Sequence, residues 1–322
     1  MRVALIIPSA LNSLPKDTFY TFLLTYSHLL DRLEDLPFTI TRLEIKAPPT
    51  FPIDANRNMA VAEILEQGFD TSIWFDADQT FPQNMLFRLL QNPAPIVSGM
   101  YFLKKAPFFP IVYKETKDSK KSGKFNWFTP IMEYPKEDFF NADMIGMGCV
   151  KIDRIVFEKI AQMYSNKIQI NEAVNRIKKS LNKKDVDKIK PYLDNIMDAD
   201  HIYGGSKPEF FRYGINPITI DEESFAREPL NKYRTKYCIR DATEDVFFWK
   251  QVKQAGFEIL IDPKIQCGHI TNIISDQDLF HSFYQTRLDK IKIDDPKTYN
   301  TIQENICRAE PIKNEILEEI LK

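Results

Sequence analysis

The chain has 322 residues, enough for one large domain or two smaller ones with ample core. Hydrophobic content of 43%, charged content of 27% and a formal net charge of -2 are ordinary for a globular protein, and they exclude a global field that draws it to nucleic acid or membrane. Four cysteines (Cys149, Cys238, Cys267, Cys307) lie far apart with no CxxC pair, which disfavours the usual zinc spacing and a disulfide framework.

Arg2 to Pro8 reads as a buried first strand; Pro8 interrupts the apolar run too early for a signal peptide. Apolar residues at helical spacing (Phe19, Phe22, Leu23, Tyr26, Leu29, Leu30, Leu33) predict a helix from Phe19 to Leu33, and Phe38 to Ile45 alternates as a second strand. After three prolines at 48, 49 and 52, Asp54 reads as the N-cap of a helix that Gly68 stops. Arg57 falls in its first turns, where a cation opposes the helix dipole. Either a solvated arginine or one paired with a phosphate or a strand-end aspartate accounts for it.

The stretch Thr71-Ser72-Ile73-Trp74-Phe75-Asp76-Ala77-Asp78-Gln79-Thr80-Phe81-Pro82 is the most informative. A short apolar run ends in two aspartates one residue apart, and Pro82 opens a predicted helix to Leu90. Asp76 and Asp78 are thereby expected at the carboxyl end of a strand, where open α/β sheets place their ligands. Two carboxylates at that spacing repel unless a cation lies between them, and Mg²⁺ or Mn²⁺ favours such oxygen ligands alongside substrate phosphates. A solvated turn is the plain alternative for an Asp-x-Asp triplet. With 10 glycines and no Gly-rich loop, a P-loop or Rossmann dinucleotide site is disfavoured.

Pro95 to Met100 is a further buried strand, and the strand–helix alternation to this point predicts a mostly parallel, doubly wound sheet. Short strands are expected at Phe109 to Tyr113 and Lys124 to Phe128. Asp143 to Ile152 reads as one strand whose two glycines mark close approach by a ligand or another backbone. Asp153 caps a helix to Tyr164. Residues 165–200, rich in lysine with apolar residues at helical spacing, read as an inserted helical hairpin, either a solvated basic face or a docking surface for an anionic acceptor. Thr243 is a predicted N-cap, with Glu244 and Asp245 in the first turn, where negative charge is favoured and a catalytic carboxylate is well placed. Phe257 to Ile261 and Lys264 to Cys267 are short strands flanking a turn at Pro263, and Gly268-His269 follow. The tail from 276 is helical and charged. Nowhere does an apolar run approach the length of a bilayer span.

The order of landmarks resembles the nucleotide-sugar glycosyltransferases of the GT-A fold, most nearly the small family-2-like enzymes of bacteria, phages and large viruses. The resemblance rests on Asn56-Arg57-Asn58, FDADQTFP at 75–82, IVSGMYFLK at 96–104, GMGCVKIDRIVFE at 146–158, TEDVFFWKQVKQAGFEILIDP at 243–263 and CGHI at 267–270. It covers about residues 1–165 and 205–272 and implies a GT-A domain over 1–272, interrupted by the basic insert, and a helical C-terminal extension over 273–322. It further implies that Asp76-Ala77-Asp78 binds a divalent cation and, through it, the diphosphate of a UDP- or GDP-sugar, and that His269 is a third metal ligand. Glu244 and Asp245 match the acidic pair near the acceptor, Arg57 a basic residue near the nucleotide, and Pro8 and Ser9 the region that cradles the base. Glu44 is the one candidate for reading uracil. The implied activity is transfer of a sugar to an acceptor hydroxyl, the acceptor being a glycan, a protein or a modified nucleic acid. A cytoplasmic location (host cytoplasm for a viral source) and a homo-oligomer formed through the C-terminal helices complete the expectation. A nucleotidyltransferase on a similar sheet, or a sugar-nucleotide-binding module without turnover, stands as the alternative.

Overall fold

The structure, a computed structural model, describes residues 1–8, 14–47, 53–106, 108–115, 128–163, 210–211, 214–215, 240–270 and 274–312. The first hundred residues build β1 (Arg2–Ile6), α1 (Lys16–Asp31), β2 (Arg42–Lys46), α2 (Ile53–Glu66), β3 (Thr71–Phe75), β4 (Gln79–Thr80), α3 (Met85–Gln91) and β5 (Ile96–Met100). Then come β6 (Val112–Glu115), β7 (Phe128–Pro130), β8 (Phe140–Ala142), β9 (Met144–Ile145), β10 (Cys149–Asp153), β11 (Gly214–Ile215) and β12 (Arg240–Ala242). The described chain closes with α4 (Glu244–Gln254), β13 (Ile259–Gln266), β14 (Gly268–Ile270), β15 (Ile274–Ser275), α5 (Gln277–Asp294) and α6 (Pro296–Asn305).

The fold is mixed α/β around a seven-stranded, mostly parallel sheet of order β2-β1-β3-β10-β5-β13-β8. Strands β2, β1 and β3 run parallel, as do β5 and β13. β10 enters antiparallel between β3 and β5, and β8 closes one edge antiparallel to β13. The sequences TSIWF and IVSGM are buried at every position because both strands are central and covered on both faces. Period-two alternation sends Ala4, Ile6, Trp74 and Val150 into one core with Ala60, Val61 and Ile64 of α2 and Phe248 and Val252 of α4. Val3, Leu5, Ile73 and Phe75 face the opposite core, with Phe22 and Leu29 of α1 and Leu86 and Leu89 of α3. Helices on both faces make the doubly wound arrangement that the alternation predicted. In α5, Phe280 is fully buried in the first of these cores, stacked on Phe102 at 5.6 Å between ring centroids.

Several local expectations shift. The buried face of α1 is Thr18, Phe22, Thr25 and Leu29, while Phe19, Leu23 and Leu30 are exposed. Thr25 is inside because its hydroxyl accepts a hydrogen bond from the Leu86 backbone N–H at 3.1 Å, tying α1 to the start of α3. Asp54 lies within the first turn of α2 rather than before it, and Gly68 ends that helix segment at φ +68°. α3 begins at Met85, not Pro82, because Gln79 and Thr80 first pair as a strand with β14. Residues 143–152 are two strands in different sheets, and their glycines occupy the break between β9 and β10. Asp153 ends β10, with helix over 154–163. Residues 257–267 hold one eight-residue strand, β13, which absorbs Pro263 at a register shift between Ile261 and Gln266. Glu44 is held on β2 by Arg42 and by Lys46 at 3.0 Å, so its carboxylate is already committed to its own strand. The basic insert at 165–200 and Ser9 lie outside the described residues. No helix among the described residues is long and apolar enough to cross a membrane.

Candidate active site

The carboxyl ends of the parallel strands gather most of the residues singled out above. Asp76 and Asp78 leave β3 on a turn whose first N–H, that of Asp76, donates to the Gly148 carbonyl at 3.3 Å. The short pairing of β4 with β14 sets His269 opposite Gln79, and the Ile270 N–H donates to the Asp78 carbonyl at 2.8 Å. This two-residue strand carries the imidazole of His269 to Asp78: its Nε2 lies 3.3 Å from Asp78 Oδ1. His269 Nδ1 is 2.8 Å from the Phe102 carbonyl, a contact in which only the ring nitrogen can donate.

A second cluster adjoins the first. Arg57 rises from α2, 3% exposed, and its guanidinium meets three carboxylates: Glu244 at 3.0 Å, Asp76 at 3.4 Å and Asp245 in close contact. The guanidinium also lies over the Phe211 ring, 5.6 Å from its centroid. Asn58 fixes that ring's backbone: its Oδ1 accepts from the N–H groups of Phe210 and Phe211 at 2.9 and 3.1 Å, and its Nδ2 donates to the Phe211 carbonyl at 2.7 Å. Of the two ways to account for Arg57, the structure thus has the strand-end aspartate. Glu244 and Asp245 open α4 after Thr243, whose side chain makes no capping hydrogen bond, so the acids face Arg57 rather than serving the helix end alone.

Electrostatics separate the acids. Burial pushes the Asp245 carboxyl up to about 7; Arg57 pulls it back, and Glu244 and Asp76 push it up again. Asp76 is also raised, first by burial, against the pull of Arg57. Asp78 goes the other way, to about 2: burial opposes the shift, but the contacts from His269 and Lys104 outweigh it. Lys104 was not singled out by its sequence, although it ends the segment IVSGMYFLK. It lies four residues past β5 and pairs directly with Asp78.

Two further residues escaped the sequence reading. Tyr101 is 3% exposed; its hydroxyl accepts from the Gly148 N–H at 3.0 Å and its ring meets that of His269 edge-on at 5.8 Å. Gln79 is fully buried behind the Asp-x-Asp turn, and neither its Oε1 nor its Nε2 has a partner among the described residues. The close approach announced by Gly146 and Gly148 is by these side chains: a Cβ at 146 would overlap the Tyr101 hydroxyl, and one at 148 the Gln79 amide. Pro8 is buried two residues past the end of β1, and Ala77 is partly buried against the core of α1 and α3.

Among the described residues, no three His, Cys, Asp or Glu side chains already surround a common point as metal ligands. Asp78 and His269 nonetheless suit a hard cation. With ligand bonds of about 2.1 Å, neighbouring octahedral ligands stand about 3 Å apart, close to the Oδ1–Nε2 spacing found here. The Phe102 carbonyl on Nδ1 is the kind of outer contact that orients a ligating imidazole, here with Nε2 turned toward Asp78. Mg²⁺ and Mn²⁺ sites completed by phosphates and water need only one or two protein carboxylates.

No family model matches the sequence, and no curated protein matches it. Among solved structures, the chain is similar to A197 from STIV at 15% identity, covering 84% of this chain and 86% of that one with a TM-score of 0.38. It is similar to GalNAc-T7, solved with UDP, GalNAc and Mn²⁺, at 10% identity and a TM-score of 0.39; the match covers 84% of this chain but 44% of GalNAc-T7. A 4-diphosphocytidyl-2C-methyl-D-erythritol synthase matches over 50% of this chain and 79% of its own, at 12% identity and a TM-score of 0.26. The neighbours thus include transferases of both the sugar and the nucleotidyl kind.

Proposed function

We propose that the chain is a metal-dependent glycosyltransferase of the GT-A kind, acting on a nucleoside-diphosphate sugar. The observation that carries this reading is the convergence, at one end of the sheet, of a preformed Asp78–His269 pair with a separate, partly exposed acid, Asp245. Asp78 and His269 would hold a divalent cation, with Asp76 beside them, and Lys104 adds positive charge at the same rim. The cation, when bound, supplies charge neutralisation for a diphosphate leaving group.

The remaining work falls to this chain's own residues. Transfer with inversion needs a base to take the acceptor hydroxyl's proton as the sugar's anomeric carbon develops positive charge, whereas a retaining transfer does not need it in the same place. Asp245 suits this better than Glu244: its side chain is 22% exposed against 10%, and its carboxyl titrates near neutrality. Arg57 positions both acids and offsets their mutual repulsion. Tyr101 and Gln79 brace the turn that presents Asp76 and Asp78.

The test is calorimetric titration of UDP and GDP with and without Mn²⁺, followed by mass spectrometry of nucleotide-sugar hydrolysis. Metal-dependent binding abolished by Asp78→Ala, with release of nucleoside diphosphate, supports the reading. Metal-independent binding indifferent to Asp78→Ala overturns it. Release of pyrophosphate from a nucleoside triphosphate incubated with a sugar 1-phosphate assigns the nucleotidyltransferase instead.

A further inference from the structure

The outward face of α1 is more apolar than the face it buries. Inward point Thr18, Phe22, Thr25 and Leu29, two of them threonines. Outward stand Phe19, Tyr20, Leu23, Leu24 and Leu30, joined by Leu33 in the 3-10 turn (Leu33–Asp35) that follows the helix. Each of the six is between 36% and 61% exposed. Phe19, Leu23, Ser27 and Leu30 follow one another at spacings of four, four and three residues, so they form one stripe along the helix. The helix carries none of the candidate active-site residues.

A large side chain presents about 200 Å² when fully open, so these fractions leave on the order of 500 Å² of apolar surface on one copy. That is at the upper end of the patches that monomers expose. Two such faces pressed together bury about 1,000 Å², the area at which a specific interface becomes sustainable. The polar residues on the stripe say what kind of cover fits. Lys16 stands at its start and Glu34 just past its end; both are exposed, and neither makes an ion pair among the described residues. Ser27, small and exposed, sits near the middle.

We infer that the outward face of α1 is the contact surface between two copies of this chain, their α1 helices packed antiparallel about a two-fold axis. A contact of this symmetry must be complementary to itself. With the axis level with position 25, Lys16 of each copy stands opposite Glu34 of the other, Leu23 opposite Ser27, and Phe19 beside Leu30. Two ion pairs then close the ends of an apolar seam, and the small Ser27 gives each Leu23 room to enter. A parallel pairing would set like charges together at both ends. A lipid surface fits less well. Helices that lie on anionic membranes are rich in lysine and arginine beside the apolar face. Here the exposed acids Asp17, Asp31 and Glu34 stand against Lys16, and Arg32 is tied to Asp35 at 2.7 Å. The inference does not depend on the transferase reading, because it uses none of that site's residues.

The test is sedimentation velocity of the full chain over a range of concentrations, without metal or nucleotide. A species of twice the chain's mass is expected to grow with concentration. Leu23→Glu sets two acids at the centre of the seam and is expected to raise the dimer dissociation constant by about 100-fold or more. Lys16→Glu is expected to raise it by about tenfold, and Lys16→Glu combined with Glu34→Lys to restore the parent value. Circular dichroism checks that each variant folds, and Ser27→Lys takes the place of Leu23→Glu if that variant does not. Flotation with phosphatidylcholine and phosphatidylserine vesicles tests the lipid alternative. The inference is overturned if the chain stays monomeric at every concentration, if the folded Leu23→Glu or Ser27→Lys variant dimerises as the parent does, or if the charge exchange fails to restore the dimer. It is equally overturned if the chain floats with vesicles as a monomer and Leu23→Glu abolishes the flotation.

Discussion

Arg57 and Asp245 stand 188 positions apart in the chain and meet as a part-buried ion pair, at the point where α2 and α4 approach the end of β3. The same guanidinium is shared with Glu244 and Asp76, so one cation holds three acids together.

Removing that cation is expected to be costly. Arg57→Met removes the cation that three acids share, and loss of one partner from a buried pair destabilises by about 3–5 kcal/mol. Urea denaturation followed by circular dichroism measures this. Combining Arg57→Met with Asp245→Asn should recover part of the loss, because the uncompensated charge is then smaller. A full-sized penalty in the double variant would mean that packing over Phe211, rather than charge, holds Arg57 in place.

The metal pair makes a separate prediction. His269→Ala should weaken Mn²⁺-dependent UDP binding by about 10–100-fold, and Asp78→Asn by at least as much. Chelation with EDTA should lower parent binding to the level of these variants. Isothermal titration calorimetry reads all three, and equal affinity with and without metal in the parent would refute the assignment.

Asp245 sets an expected pH dependence. Its carboxyl titrates near pH 7, so the base form accumulates as pH rises through 7 and transfer should rise with it. Asp245→Asn should flatten that limb and lower kcat. Stability should run the opposite way. A carboxyl whose folded value lies above its unfolded one of about 3.9 binds its proton more tightly when folded. Its contribution is therefore full below pH about 4 and lost as pH rises towards 7. Urea midpoints at a series of pH values, with and without Asp245→Asn, check the sign.

Gly148→Ala tests the floor of the site. The added methyl meets the Gln79 amide and the Tyr101 ring, both buried, so overpacking should cost about 1–3 kcal/mol. The Gly148 carbonyl accepts from the Asp76 N–H, so the same change should also weaken metal-dependent nucleotide binding. Thermal melts and calorimetry separate the two effects.

What the sequence revealed follows the range of the forces involved. Asp76 and Asp78 were legible at the end of β3 because a run of five buried residues stopping at two acids is a local signal. The Thr243 cap position of α4 was local too. The partners of Arg57 were not, since Glu244 and Asp245 come to it through the winding of the whole sheet. Helical periodicity misjudged α1 because Thr25 is buried for one hydrogen bond to α3, while Phe19 and Leu23 point outward. β4 is two residues long and leaves no periodic trace, yet it decides where His269 stands. Glycines 146 and 148 signalled crowding correctly, but the crowding comes from Tyr101 and Gln79.

The stack of Phe280 upon Phe102 links the end of the chain to the chemistry near its middle. Phe102 offers its ring to α5 and its carbonyl to His269 Nδ1, so α5 is a strut beneath a prospective metal ligand. Shortening the protein ahead of α5 would then strip the Phe102 ring of its cover and loosen the backbone that steadies the imidazole.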